Sequence, residues 1–257
     1  KRQVSELLIE YKADLQAKCN GCTPLVHAIQ RKNLSLVQTL LRKSAEVNGL
    51  SDDGSTPLLH ACTGATVKGI VQCLLGHKAD PNLVGNDCED TPLTAACGAL
   101  NIPLAKMLLD SRADPNKLLR SGSFCALIAA IINQSGTKVE EDMLQLLVDA
   151  SADVNMQCCE ENPLIVACDE GTLGSANKLL DLKADLNYVP KHTMAFPALH
   201  SAIEAQNVDI AAALIQRKAD VNLATHEIGV TPLMLACEIG DMTAVQFLLD
   251  HKADVNC

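Results

Sequence analysis

Thr231-Pro232-Leu233-Met234-Leu235-Ala236-Cys237 opens, and Ala253-Asp254-Val255-Asn256 closes, the stretch that decides the fold, because the chain writes both signals again and again in one phase. The opening signal recurs as Thr23-Pro24-Leu25, Thr56-Pro57-Leu58 and Thr91-Pro92-Leu93. Weaker copies are Asn162-Pro163-Leu164 and Pro197-Ala198-Leu199, and Cys125-Ala126-Leu127 has lost both Thr and Pro. An Ala stands three residues after each Leu, at Ala28, Ala61, Ala96, Ala130, Ala167, Ala202 and Ala236. The closing signal, Ala before an acidic residue, falls at Asp14, Glu46, Asp80, Asp114, Asp153, Asp185, Asp220 and Asp254, in steps of 32, 34, 34, 39, 32, 35 and 34. From the second copy onward an Asn follows two residues later, at Asn48, Asn82, Asn116, Asn155, Asn187, Asn222 and Asn256.

Each signal has a physical meaning. Thr caps a helix N-terminus, and Pro at the first helical position costs no hydrogen bond. That predicts a first helix, A, in which the Ala lets the neighbouring helix approach closely. A second helix, B, carries apolar residues at i, i+3 and i+4: Val37-Leu40-Leu41, Val71-Leu74-Leu75, Leu144-Leu147-Val148 and Val245-Leu248-Leu249. That is one buried stripe of a 3.6-residue helix. The segment from Ala-Asp to the next Thr-Pro is turn-rich, as in Ser51-Asp52-Asp53-Gly54. Units this small bury their apolar sides by stacking on one another.

In this pattern the chain resembles the ankyrin family, whose signature is a period near 33 and a T-P-L-H-x-A motif. The resemblance covers essentially the whole chain. It implies an all-α fold, an ankyrin-repeat α-solenoid with short β-hairpin fingers between repeats. The repeats fall at 18–50, 51–84, 85–118, 119–157, 158–189, 190–225 and 226–257, with 1–17 as part of an earlier repeat. Neither end carries an evident polar cap, so a piece of a longer protein is expected. One departure is systematic. Ankyrin repeats usually have Gly just before Ala-Asp, where the helix ends in a left-handed turn. Here Lys12, Ser44, Lys78, Arg112, Ser151, Lys183, Lys218 and Lys252 stand there. A cation at a helix C-terminus offsets part of the strain. Repeat four carries about four extra residues around Gln134-Ser135-Gly136-Thr137-Lys138, expected as an exposed loop between its helices.

Composition bounds the function. Of 257 residues 48% are hydrophobic but only 2% aromatic, and Trp is absent, so the core is built from Leu, Ala, Val, Ile and Cys. A net charge of −10 disfavours nucleic acid, which needs clustered Lys and Arg, and anionic membrane surfaces. No apolar run approaches the roughly 18 residues a bilayer span needs, and the N-terminus shows no secretory pattern. A monomer in the cytoplasm, or the nucleus, is expected.

Cys62, Cys97, Cys168 and Cys237 share one slot, which Ile29, Ile131 and Ile203 fill elsewhere. Interchange with Ile marks a small buried apolar site. Cys19-Asn20-Gly21-Cys22 reads as a tight turn, and zinc would need two more ligands; Cys158-Cys159 lies on a finger and is read in the same way. His27 and His60 share a position on successive A helices and read as hydrogen-bonded surface histidines. No catalytic, phosphate-binding or dinucleotide motif is present. No enzyme activity, cofactor or metal is expected.

The resemblance implies a protein-binding module, with partners on the finger tips and the exposed face of helix A. Specificity then lies where repeats differ. Past the Cys/Ile slot the residues are Gln30, Thr63, Gly98, Ile132, Asp169, Glu204 and Glu238, so the last three form an acidic row. Asp52, Asp53, Asp87, Glu89, Asp90, Glu160 and Glu161 on the fingers, Glu170 beside Asp169 and Tyr188 on an altered sixth finger add candidates. The row predicts a partner with a basic or extended segment. The alternatives are a spacer, or the regulatory region of an enzyme whose catalytic domain lies elsewhere. The resemblance also implies hydroxylation by an asparaginyl hydroxylase at Asn48, Asn187, Asn222 and Asn256, each with a Leu eight residues upstream; intact mass would show the added oxygen.

Overall fold

The computed structural model describes residues 14–64, 67–84, 90–118, 124–132, 137–158, 161–191, 195–226 and 228–256. The described residues fold as helix pairs in two compact units, Lys1–Ser121 and Gly122–Cys257. The first holds α1 (Pro24–Gln30), α2 (Leu34–Arg42), α3 (Pro57–Cys62), α4 (Lys68–Gly76), α5 (Pro92–Gly98) and α6 (Ile102–Asp110). The second holds α7 (Ala126–Ile131), α8 (Lys138–Asp149), α9 (Pro163–Asp169), α10 (Leu173–Asp181), α11 (Ala198–Glu204), α12 (Val208–Gln216), α13 (Pro232–Ile239) and α14 (Met242–Asp250). Odd-numbered helices are A helices and even-numbered ones are B helices.

The A helices begin where the sequence says. The hydroxyls of Thr23, Thr56, Thr91 and Thr231 accept from the amides of Val26, Leu59, Thr94 and Met234, each with Pro in the first turn. Asn162 caps α9 in the same way through Ile165. Cys125 and Pro197 make no such bond, so α7 and α11 rely on packing. The B helices have caps of their own: the side chains of Asn33, Asn101, Asn207 and Asp241 accept from the first-turn amides of α2, α6, α12 and α14.

The closing signal is a Schellman turn. In each of the seven described copies the Ala amide reaches back to a buried Leu carbonyl: Ala45 to Leu40, Ala79 to Leu74, Ala113 to Leu108, Ala152 to Leu147, Ala184 to Leu179, Ala219 to Leu214 and Ala253 to Leu248, at 2.9–3.0 Å; Lys12 and Ala13 lie outside the described residues. This wrap places the residue before Ala in the left-handed region. Ser44, Lys78, Arg112, Ser151, Lys183, Lys218 and Lys252 all have φ between 63° and 71°. A side chain there costs roughly 1 kcal/mol relative to Gly. Ser44→Gly is therefore expected to raise the stability of this chain by about 1 kcal/mol. Lys218→Gly gains less, because it also removes a cation worth about 0.3–1 kcal/mol at the C-terminus of α12. Urea unfolding measures the difference; equal gains at both positions would remove the macrodipole from the account.

The predicted stripes line the core. Val37, Leu40, Leu41, Val71, Leu74, Leu144 and Leu147 are buried. In the last repeat the stripe opens: Leu248 is buried, but Leu249 is 38% exposed and Cys237 is exposed, unlike Cys62, Cys97 and Cys168 in its slot. Among the described residues the fingers are closed by isolated antiparallel bridges, Cys19↔Cys22 and Cys158↔Glu161. In repeat four α8 runs 12 residues against nine in the other B helices, while 133–136, where the exposed loop was expected, lie outside the described residues. This helix brings Glu140 into the core, wholly buried, where it accepts a hydrogen bond from the Ser175 hydroxyl.

Candidate functional site

The acidic row lies at the C-terminal ends of the A helices of repeats five to seven. Asp169 ends α9, Glu204 ends α11 and Glu238 lies near the end of α13. All three are exposed. Partial burial of the Asp169 carboxyl in the groove pushes its pKa up to about 6; the Ser201 hydroxyl opposes this, and the carboxylates of Glu161, Glu204 and Glu170 add to it. The residue remains largely open to solvent, but its carboxyl is crowded. Glu161 is itself pushed upward by burial. The structure thus brings together Asp169, Glu204, Glu170 and Glu161 from a finger, α9 and α11. Glu238 is exposed on α13.

The other candidates scatter. Asp52 pairs with Lys18 at 2.7 Å, and its amide donates to the Gly21 carbonyl at 2.9 Å, joining the first two fingers. The Asp53 carboxylate accepts from the Ser55 amide at 2.9 Å, which holds its pKa below the usual carboxylate value. Both acids hold finger geometry. The Asp90 carboxylate accepts from the Thr94 hydroxyl at 3.1 Å. Tyr188 is half-buried. Asp87, Glu89 and Glu160 lie outside the described residues.

The asparagines form a ladder. The side-chain oxygens of Asn48, Asn82, Asn155, Asn187 and Asn222 accept from the amides of Asp80, Asp114, Asp185, Asp220 and Asp254 in the next repeat, at 2.7–2.9 Å. Within each Ala-Asp turn the aspartate carboxylate accepts from the Asn backbone amide, as Asp220 does from Asn222 at 2.9 Å. The recurrence of Asp and Asn is thus inter-repeat hydrogen bonding. The candidate hydroxylation residues Asn48, Asn187 and Asn222 sit in this ladder, and the Asn256 amide bonds Asp254. Leu74, Leu108 and Leu147 also stand eight residues before Asn82, Asn116 and Asn155, so the same spacing holds in all seven copies.

The histidines hold the frame. His27 Nε2 bonds the Cys19 carbonyl at 2.9 Å and His60 Nε2 bonds the Ser51 hydroxyl at 3.1 Å, each tying an A helix to its own finger. A third histidine was missed. His200 is fully buried, and its Nε2 donates to the Val230 carbonyl of the next repeat at 2.9 Å. The signal was present, since among the seven copies it alone puts His directly after the motif Leu. Burial lowers its pKa, so it stays neutral. Among the described residues no group of three or more His, Cys, Asp or Glu side chains could hold a metal ion. No helix among them is long and apolar enough to cross a membrane.

The family model described as ankyrin repeats (3 copies) matches residues 1–83, 64–158, 138–225 and 164–257, which together take in the whole chain. The chain belongs to the ankyrin-repeat family. This ankyrin array is also similar to solved ankyrin repeat domains. Against that of human ASB11 the TM-score is 0.71, at 23% identity over 91% of this chain and 99% of that one. Against that of Bcl-3, described as a unique member of the IkappaB protein family, the TM-score is 0.72, at 26% identity over 90% and 100%. Curated relatives include the ankyrin repeat and KH domain-containing protein mask-1 of Caenorhabditis elegans, 28% identical over 90% of this chain and 8% of that protein. Palmitoyltransferase AKR1 of Lachancea kluyveri is 31% identical over 38% of this chain and 14% of its own length. The putative ankyrin repeat protein YahD of Escherichia coli is 33% identical over 43% and 57%. The aligned stretches thus span 14%, 8% and 57% of these relatives' lengths.

Proposed function

We propose that this ankyrin array is a non-catalytic protein-binding module whose repeats five to seven take an extended, Lys- or Arg-bearing segment of a partner. The family's general role as a protein-interaction scaffold supports the coarse reading. The finer one rests on a single observation: the Asp169 carboxyl is crowded by the carboxylates of Glu161, Glu204 and Glu170, which add to the effect of burial in raising its pKa. A cation placed there relieves the repulsion and satisfies several acceptors at once, and Arg can do so with two parallel hydrogen bonds. The likeness to a palmitoyltransferase covers 14% of that protein, so its activity is not extended to this chain.

The test replaces Asp169, Glu204 and Glu238 with Lys and measures binding of a synthetic extended peptide of alternating Arg and small residues. The expected loss is tenfold or more, about 1.4 kcal/mol, with far-UV circular dichroism unchanged. Binding to the parent protein is expected to weaken with salt. It also weakens as pH falls through about 6, where Asp169 takes up a proton and loses its charge. Equal affinity in the triple variant would remove the groove from the account and leave the spacer reading.

A further inference from the structure

Cys19-Asn20-Gly21-Cys22 forms the tip of the first finger, and its turn sets two thiols opposite one another. Asn20 and Gly21 both lie in the left-handed region, at φ 50° and 76°, as the two central residues of a type I′ hairpin turn do. The turn closes on an antiparallel bridge between the two cysteines. The Cys19 amide donates to the Cys22 carbonyl at 2.9 Å, and the Cys22 amide donates back to the Cys19 carbonyl at 3.1 Å. Residues that exchange both bonds stand directly opposite, with Cα atoms about 5.5 Å apart and side chains on one face of the hairpin. A disulfide spans Cα separations of roughly 4.4–6.8 Å. Helix α1 holds both halves of the pair. His27 Nε2 bonds the Cys19 carbonyl at 2.9 Å, and Gln30 Nε2 donates to the Cys22 sulfur at 3.7 Å; residues three apart share one face of a helix. Both thiols are free, with Cys19 exposed and Cys22 half-buried. The bridge in repeat five differs, since Glu161 stands across from Cys158 and brings no second sulfur.

We propose that Cys19 and Cys22 form a reversible disulfide across the tip of the first finger, with a low-molecular-weight disulfide as the oxidant. Cys19, the more exposed of the two, reacts first. Its thiolate attacks one sulfur of the small disulfide; a mixed S–S bond forms, the old S–S bond breaks, and the first small thiol leaves with the proton that Cys19 gave up. The Cys22 thiolate then attacks the Cys19 sulfur. The protein S–S bond forms, the mixed bond breaks, and the second small thiol leaves with the Cys22 proton. Two electrons pass from the protein sulfurs to one small disulfide. Exposed disulfides are of the labile, regulatory kind, and a dithiol reverses the step by exchange. The bond also reaches beyond its own turn. The Gly21 carbonyl receives the Asp52 amide of the second finger at 2.9 Å, and Lys18, next to Cys19, pairs with Asp52 at 2.7 Å. Closing the pair therefore fixes the junction of the first two fingers.

The experiment incubates the native chain with oxidised glutathione, blocks the remaining thiols with N-ethylmaleimide, digests with trypsin and maps peptides by mass spectrometry without reduction. Cleavage after Lys18 and Arg31 leaves both cysteines on one peptide, 19–31. The expected product is that peptide two hydrogens lighter than its dithiol form, free of maleimide, and restored to the dithiol mass by dithiothreitol. In Cys22→Ser the resolving thiol is gone, so one glutathione is expected to stay on Cys19. The exposed Cys237 reports that the oxidant is active by taking up glutathione. Recovery of 19–31 with two maleimides, or with a glutathione on each cysteine, while Cys237 carries glutathione, would overturn the proposal. That mapping uses the unsubstituted protein and does not depend on any variant folding.

Discussion

Leu147→Ala is expected to destabilise the chain by about 2–5 kcal/mol, the range for truncating a fully buried leucine into a residual cavity. Leu147 is wholly buried in α8 alongside Met143 and Leu144, and its carbonyl receives the Ala152 amide that closes the helix at 2.9 Å. The backbone bond survives the substitution; the packing that holds the turn against it does not. Repeat arrays are stabilised by each unit and its nearest neighbours, so the loss should concentrate on repeats four and five. Hydrogen exchange measures this: amides of α8 and α10 should lose protection while those of α13 and α14 keep it. A uniform loss across the unit would show that its repeats open together.

His200→Ala is expected to cost about 3 kcal/mol at pH 7.5, from the lost packing of a wholly buried ring and from leaving the part-buried Val230 carbonyl unpaired, the latter about 1–3 kcal/mol. The ring also lies flat against Phe196, with centroids 5.9 Å apart. The cost depends on pH, and its sign follows from linkage. Burial lowers the His200 pKa in the folded chain, so below about 6.5 the unfolded chain binds a proton that the folded one does not. The stabilisation is present above that pH and is lost as pH falls through it. Asp169 works in the opposite direction. Its raised pKa means the folded chain binds the extra proton between about 6 and 3.8, so this group favours folding on acidification. The gap between the parent chain and His200→Ala should therefore narrow from pH 7.5 to 5.5, while Asp169→Asn flattens the opposing contribution. Urea titrations at the two pH values read both; a constant gap would show that His200 is protonated in the fold.

Much of this was legible in the sequence because the signals are local. Thr23 and Thr231 cap, Pro24 and Pro232 open, and Leu214 with Ala219 closes; each acts within one or two turns of helix. The seven non-glycine residues before Ala were legible as left-handed for the same reason. What crosses from one repeat to the next was harder to read. Asp80 and Asn48 look like surface turn residues until the ladder shows the side chain of one repeat receiving the backbone of the next. Asp52 and Asp53 looked like plain surface acids, yet each also holds its finger, through Lys18 and the Ser55 amide. Nothing in the spacing announced that α8 would be three residues longer than the other B helices, or that its Glu140 would find Ser175 as a buried partner.

Spacing alone determined the class of fold, the ends of nearly every helix and the slot of each buried alanine, since those follow from contacts between residues near in sequence. Tertiary structure decided that Glu204 comes near Asp169 and that His200 bridges two repeats. Those are meetings between residues about thirty positions apart, and a periodic sequence gives every repeat the same chance of making them; only packing selects the one that does.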